Sequence, residues 1–421
     1  MVLQLHSITF NVDPSSAANS AMNIRRSEEF EISTPEFRKE TANDFRFNCA
    51  AYAIAETEGQ DVRISVQFVT HATADRTWEV KATGGGIMGS IDPVQFNFAP
   101  GETLATVEFS LPRRNFSKIG VHEIRWDWFY RLANTESWVR LQTSRHRIYI
   151  VLSVPPAPWT QVFADRQNPW GVLLDECCRI ASGCKTAVKA TRRITKAINC
   201  NYQLRYDTDS GRPRYNFSSW GVWSFELENW IEFVLYNNVP EIPRFCAYTT
   251  EDYPDYWIIN CYDAAGSLSL MSTVIGAHVE YHFHAPFGYL NRVYPIGRGI
   301  CNNPFPPNPC SGQGFEVDSD ATYPNRTGFG NHAYTKLNSR VFDACMKDFV
   351  GCLEKLYLSI LIAILILVTC GQADLSSLRD RYNGWLINLE QPNYDEYVID
   401  TSTPQEAAAA GGSPQNNPVT F

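Results

Sequence analysis

The chain has 421 residues, 45 acidic against 36 basic side chains, a formal net charge of -9 and 44% hydrophobic residues. That length can bury two separate cores, and an acidic balance offers no basic field to draw in phosphates, so nucleic acid is not expected as a partner. Twelve cysteines are scattered without paired CxxC units, which gives no zinc-site pattern and leaves the redox compartment open. Met1 to Val12 alternates like a strand and lacks the positive start and long apolar core of a secretory signal, so a cytoplasmic location is expected.

Up to about Val154 the chain shows strand-like runs separated by turn chemistry: Leu3 to Val12, Phe45 to Ile54, Val62 to Val69, Thr77 to Ala82, Val94 to Phe98, Ala105 to Leu111, Ile124 to Tyr130 and Ile148 to Val154. Val62, Ile64, Val66 and Phe68 share one face and Arg63, Ser65 and Gln67 the other, as in a sheet with one wet side. Many short strands at this spacing predict an N-terminal β-sandwich of immunoglobulin-like type over 1–154, a spacer or a surface that docks a protein partner. Gly84 to Gly86 is followed by neither a helix nor a lysine in phosphate-binding order and reads as a turn. Pro155, Pro156 and Pro158 mark a linker over 155–165.

A second, α+β domain is expected over 166–400. Asn168 and Pro169 form a cap and first helical position for a helix that ends near Gly183. Ala187, Val188, Thr191, Ile194 and Ile198 predict a second helix, with the basic run Lys185 to Lys196 on its wet side. Tyr202 to Tyr206 reads as a strand, and Trp220, Trp223, Phe225, Trp230 and Phe233 as core aromatics or the lining of a peptide groove.

In Ile258 to Gly276 an apolar run turns into a helix at Asn260, a good N-cap, with Asp263 in the first turn and Gly276 as a left-handed stop. Cys261 sits at that helix mouth, where unpaired N–H groups favour the thiolate; it is the candidate nucleophile. His278, Glu280, His282 and His284 then alternate and project from one face of a strand, the chain's strongest metal pattern, or else the polar outer face of an edge strand. Cys301 to Gly312 is a proline-rich loop in which Cys301 and Cys310 can pair only under oxidising conditions.

Gly328 to Cys345 reads as a hairpin. A two-residue turn at Asn338 and Ser339 pairs Leu337 with Arg340 and puts Asp343 opposite Tyr334. Asp343 and His332 are then diagonal neighbours on one face, about 7 to 8 Å apart at the backbone, within reach of an imidazole and a carboxylate.

A cysteine opening a buried helix, a histidine on a strand and an aspartate on the next resembles the transglutaminase-like cysteine hydrolase family, carried by NCYDAAG and GNHAYTKLNSRVFDAC over roughly Trp159 to Asp348. Ile259 stands where glycine is common before the cysteine, and Ala344 and Cys345 replace the frequent proline and threonine after the aspartate. The resemblance implies a transglutaminase-like (papain-like) catalytic domain in which Cys261, His332 and Asp343 form the triad, with no cofactor and no metal. The expected activity is thiol-dependent hydrolysis or acyl transfer on peptide or protein amides, protease or deamidase ahead of cross-linker. The alternatives are a non-catalytic binding module on the same fold and a metalloprotein built on His278, Glu280, His282 and His284.

Leu356 to Val368 is apolar apart from Ser359 but shorter than the roughly 20 residues that span a bilayer, so it is expected as core, with membrane association as the alternative. Leu375 to Leu389 reads as a final helix. Residues 401–421 hold too little apolar surface to order themselves and are expected as a disordered tail.

Overall fold

The computed structural model describes residues 3–25, 32, 34–41, 48–71, 76–112, 116–160, 168–207, 211–219, 222–236, 257–284, 293–297, 331–338 and 340–348, with strand pairs at 390–391, 415–416 and 419–420. It is an α+β protein, mostly strands in several sheets. The chain divides into two compact units, one formed by Met1–Ala190 with Met271–His278 and the other by Thr191–Leu270 with Val279–Phe421.

In the first unit β1 (Leu3–Thr9), β2 (Phe37–Arg38), β4 (Val62–Thr70) and β7 (Leu104–Leu111) form a sheet in the order β2-β1-β4-β7. A second sheet runs β3-β9-β8-β5-β6, from β3 (Cys49–Ala53), β5 (Thr77–Gly84), β6 (Ile91–Asn97), β8 (Gly120–Leu132) and β9 (Val139–Val151). β3 lies parallel to β9; the other neighbours in this sheet are antiparallel. The period-two pattern of β4 is kept: Val62, Ile64, Val66 and Phe68 are fully buried, and the residues between them are partly exposed. They join Trp78, Val80, Trp126, Trp128, Ile148 and Ile150 of the other sheet in one core, where the Trp126 indole donates to Gly89 O (2.8 Å) and the Trp128 indole to Ser144 Oγ (2.9 Å). β9 is longer than the run Ile148 to Val154 that announces it, because its first half alternates polar residues on a wet face. Gly84 closes β5 and Gly86 opens a single 3-10 turn, as the three glycines imply.

His146 is buried in this core, its ring edge-on to Phe10 and Phe37 and its Nε2 2.9 Å from Ser144 Oγ. Burial holds its pKa down to about 3, against the ordinary 6.5. The unfolded chain therefore takes up this proton first, and stability falls as pH drops from 6.5 towards 3. A His146→Gln chain, which cannot charge, should unfold in acid at a pH lower by roughly one unit, as read by circular dichroism across a pH series.

After β3 comes the single turn α1 (Ile54–Thr57). Helix α2 (Gly171–Ile180) lies on β8 and β9 and buries Leu173, Leu174, Cys177 and Cys178. It starts later than the Asn168 and Pro169 pair predicts. Asn168 is left-handed (φ 80°), the Pro169 carbonyl accepts the Arg25 N–H, and Trp170 bridges Arg25, which keeps these residues extended. Gly183 (φ 81°) follows the helix, as read from the sequence.

Helix α3 (Ala187–Cys200) buries Ala190, Ile194, Ala197 and Ile198 and leaves Lys189, Arg193 and Lys196 in solvent, so the basic run is a wet helix face. In the second unit β10 (Arg205–Tyr206) is shorter than expected. The hairpin of β11 (Asn216–Ser219) and β12 (Val222–Phe225) leads into α4 (Leu227–Trp230) and a wider π turn, Ile231–Tyr236. Trp230 is fully buried, its ring against Tyr202, Tyr215 and Phe225, so Phe225 and Trp230 are core; Trp220 and the side chain of Trp223 lie outside the described residues. β13 (Ile258–Ile259) pairs parallel with β10 and leads into α5 (Cys261–Thr273).

The main sheet of this unit is β19-β17-β16-β14-β20, from β14 (Glu280–His284), β16 (His332–Leu337), β17 (Arg340–Phe342), β19 (Glu390–Gln391) and β20 (Gln415–Asn416); β15 (Val293–Pro295) pairs with β18 (Met346–Asp348). β21 (Val419–Thr420) adds to β12. Two pieces of the expected tail are therefore strands, since pairing with a sheet through backbone bonds needs no apolar side chains. Leu356 to Val368, the helix expected over Leu375 to Leu389 and the Cys301 and Cys310 pair lie outside the described residues. No helix among the described residues is long and apolar enough to cross a membrane.

Candidate active site

Helix α5 starts where two short strands stop. Asn260 Oδ1 accepts the N–H of Tyr262 (2.9 Å) and of Asp263 (3.2 Å), and Asp263 Oδ2 accepts the Asn260 N–H (3.1 Å), a reciprocal cap. The cap takes up the amides of Tyr262 and Asp263 and leaves that of Cys261 at the helix mouth. Asp263 does more than oppose the helix dipole. Its Oδ1 also accepts the N–H groups of Tyr215 (2.6 Å) and Asn216 (2.8 Å), and its Oδ2 that of Arg214 (2.7 Å). Burial pushes its pKa up and the four amides pull it back, for a net value of about 6, so it is ionised and fully engaged at neutral pH.

Gly266 lets the β11 and β12 hairpin press on the helix: a Cβ there would stand 2.7 Å from Phe225 Cδ2 and 2.8 Å from Asn216 Nδ2, which itself donates to Tyr262 O (2.9 Å). The helix ends at Thr273 and the turn after it closes on left-handed Gly276 (φ 77°), the stop the sequence implies, with Ala277 N–H on Ser272 O.

The hairpin has the register its turn dictates. Leu337 pairs with Arg340, Lys336 with Val341 and Thr335 with Phe342, around a left-handed Asn338 (φ 59°). Asp343 follows directly after the last paired residue, and its Oδ2 lies 2.8 Å from His332 Nε2. Asp343 Oδ1 accepts the Cys345 N–H (2.8 Å), a backbone bond that fixes the carboxylate. His332 is fully buried, and its ring stacks on Tyr334.

Cys261, 5% exposed, hydrogen-bonds the His332 ring. Burial alone would lower the pKa of His332, but the charge and hydrogen bond of Asp343, with the bond to Cys261, outweigh it and raise it to about 10. The His332 ring therefore keeps its proton at neutral pH, beside the Asp343 carboxylate and the Cys261 side chain. Cys261, His332 and Asp343 all belong to the second unit.

Two further residues meet this group. Tyr206, on β10, hydrogen-bonds Cys261, and the Cys345 thiol donates to Asn260 O (3.7 Å). Neither was visible in the sequence: Tyr206 reaches the site through a parallel pairing two residues long, too short for any period to announce.

The histidine-rich alternative is distributed differently. His278 precedes β14 and its Nε2 lies 3.3 Å from Ser153 Oγ; His282 Nε2 lies 3.0 Å from Glu280 Oε2, and its ring stacks on Tyr334. β14 is an interior strand between β16 and β20, not an edge, and His284 is in register with His332. Among the described residues no three His, Cys, Asp or Glu side chains stand close enough to hold a metal ion.

No family model matches the chain, and no curated protein matches it. Among solved structures, a family 123 glycoside hydrolase from Clostridium perfringens is similar over 37% of this chain and 28% of its own length, at 9% identity and a TM-score of 0.18. The N-terminal domain of PorA is similar over 21% of this chain and 75% of its own, at 8% identity and a TM-score of 0.15. Red sea bream transglutaminase is similar over 68% of this chain and 46% of its own, at 10% identity and a TM-score of 0.29.

Proposed function

We propose that the chain is a thiol-dependent acyl-transfer enzyme acting on peptide or protein amides, with residues 166–400 as a transglutaminase-like, papain-like catalytic domain. Residues 1–154 are its immunoglobulin-like sandwich, a spacer or docking module. The reading rests on one observation: Cys261, at a capped helix mouth, interacts with a buried His332 whose Nε2 lies 2.8 Å from Asp343 Oδ2.

In the first step the Cys261 sulfur adds to the carbonyl carbon, the C–S bond forms and the π pair moves to oxygen, to which the Cys261 N–H donates a hydrogen bond. The oxyanion then collapses, the C–N bond breaks, and His332 passes its proton to the departing amine, leaving a thioester. Asp343 keeps the ring oriented throughout. Water, deprotonated by the now neutral His332, resolves the thioester in a protease or deamidase, and a lysine amine does so in a cross-linker.

The test is a peptide library incubated with the full chain, with and without hydroxylamine, and read by mass spectrometry. Hydrolysed products without the amine and hydroxamates with it are expected, together with iodoacetamide labelling of Cys261. Absence of both products and label overturns the reading and leaves a binding module.

The pH profile carries a second expectation. Because the folded His332 holds its proton up to about 10, the alkaline fall in turnover should lie near that value and not near 6.5. By the same linkage, the stability from this raised pKa is complete below 6.5 and is lost as pH rises through about 10, which thermal melts across that range would show.

A further inference from the structure

We propose that the Tyr206 hydroxyl is the second hydrogen-bond donor of the site, holding the Cys261 sulfur in the resting chain and turning to the oxyanion once that sulfur has added to a carbonyl. The inference rests on the acyl-transfer reading above and supplies the partner that the Cys261 amide needs, since one donor alone leaves the developing charge half satisfied.

Four observations carry it. Tyr206 is held beside the run that delivers the nucleophile: β10 pairs with β13 so that Tyr206 is level with Ile259, two residues before Cys261, and the Asp207 N–H donates to Ile259 O (2.8 Å). It is also tied to the segment that carries the carboxylate. The Tyr206 N–H donates to Ile296 O (2.8 Å), and the Ile296 N–H donates to Cys345 O (2.8 Å), two residues after Asp343.

This second link needs close approach. Gly297, left-handed at φ 66°, has room for no side chain, because a Cβ there would stand 2.5 Å from Leu204 O and 3.0 Å from the Arg205 Cα. Three strand segments therefore meet at Tyr206 through backbone bonds. Its side chain, 1% exposed, points inward and hydrogen-bonds Cys261, and burial with the Cys261 charge keeps the phenol protonated, so the hydroxyl is the donor.

The chemistry follows from the change at sulfur. The thiolate accepts hydrogen bonds well, whereas the sulfur of the tetrahedral adduct is bonded to carbon and accepts poorly. The negative charge has moved to an oxygen one bond away from that carbon. A hydroxyl has the freedom to follow it, while a backbone amide is fixed. The phenol proton stays on Tyr206 throughout, and the His332 proton alone is transferred to the leaving nitrogen.

Tyr206→Phe keeps the ring and deletes the donor. Its kcat on a cleaved peptide should fall by roughly 10²-fold or more, the usual loss when one oxyanion donor is removed, with KM within a few-fold. Alkylation of Cys261 by iodoacetamide, which passes through no oxyanion, should slow by less than a few-fold at a pH where the thiol is ionised. Should the phenylalanine chain fold poorly, a chain with monofluorotyrosine at 206 is the measure: its more acidic phenol is a different donor, so kcat should shift while alkylation of Cys261 stays within a few-fold, and a kcat equal to the parent's would overturn the proposal.

Equal losses in turnover and alkylation would make Tyr206 a structural support and overturn the proposal, as would a phenylalanine chain as fast as the parent. Those results differ from failure of the acyl-transfer reading itself, in which the parent chain would show neither turnover nor alkylation.

Discussion

Cys261→Ala should lower turnover of any amide substrate by roughly 10⁴- to 10⁶-fold, the scale on which a nucleophile acting in a unit with its base is lost. In the proposed reaction the sulfur is the atom that bonds to the substrate, and alanine has nothing to put in its place. The fold should survive, because Cys261 is a small residue at a helix start whose cap is made by Asn260 and Asp263. His332 would still be held by Asp343. A double variant, Cys261→Ala with His332→Ala, should be no slower than the single one, since the two residues act on the same step. Initial rates on a peptide selected from the library, with a thermal melt of each chain, give the comparison. A Cys261→Ala chain that keeps a tenth of the parent rate would remove the sulfur from the reaction.

Asp263→Asn should cost about 2 to 6 kcal/mol of folding stability, from a substitution that changes almost no volume. Each carboxylate oxygen accepts two backbone N–H groups. Asparagine keeps one acceptor oxygen and turns an NH₂ group towards the other pair, so two buried donors lose their acceptor, at roughly 1 to 3 kcal/mol each. The loss is large against the 5 to 15 kcal/mol that holds a typical domain together. Urea unfolding should show a lower midpoint, and turnover should fall as well, because one of the orphaned amides can be that of Asn260, the residue that sets the Cys261 backbone. A midpoint unchanged within error would mean that the four amides are satisfied elsewhere.

The parts of this molecule set by local rules were legible in the sequence. Alternation in Val62 to Val69 located β4, the Asn260 cap and Gly276 bracketed α5, and a two-residue turn fixed the pairing of Leu337 with Arg340 and so the meeting of His332 and Asp343. What was hidden depends on residues distant along the chain. Asp263 looked like a first-turn charge, and nothing local says that Arg214, Tyr215 and Asn216, 47 to 49 residues earlier, send it three amides. Tyr206 was hidden for the same reason. The start of α2 was misjudged because Arg25, far upstream, holds Pro169 and Trp170 extended against a strong local helix signal. The two strands near the C-terminus escaped notice because composition speaks only of side chains, and these segments are held by their backbones.

The hairpin has one last implication, which is a matter of odd and even. Side chains on a strand change sides at every step, so the partnership of His332 with Asp343 depends on whether the count of residues between them preserves parity. One extra glycine inserted at the turn, or one residue removed, would send the carboxylate to the opposite side of the sheet while leaving both strands able to pair. Any lineage in which that turn has drifted by a single position should therefore retain the architecture and lose the chemistry.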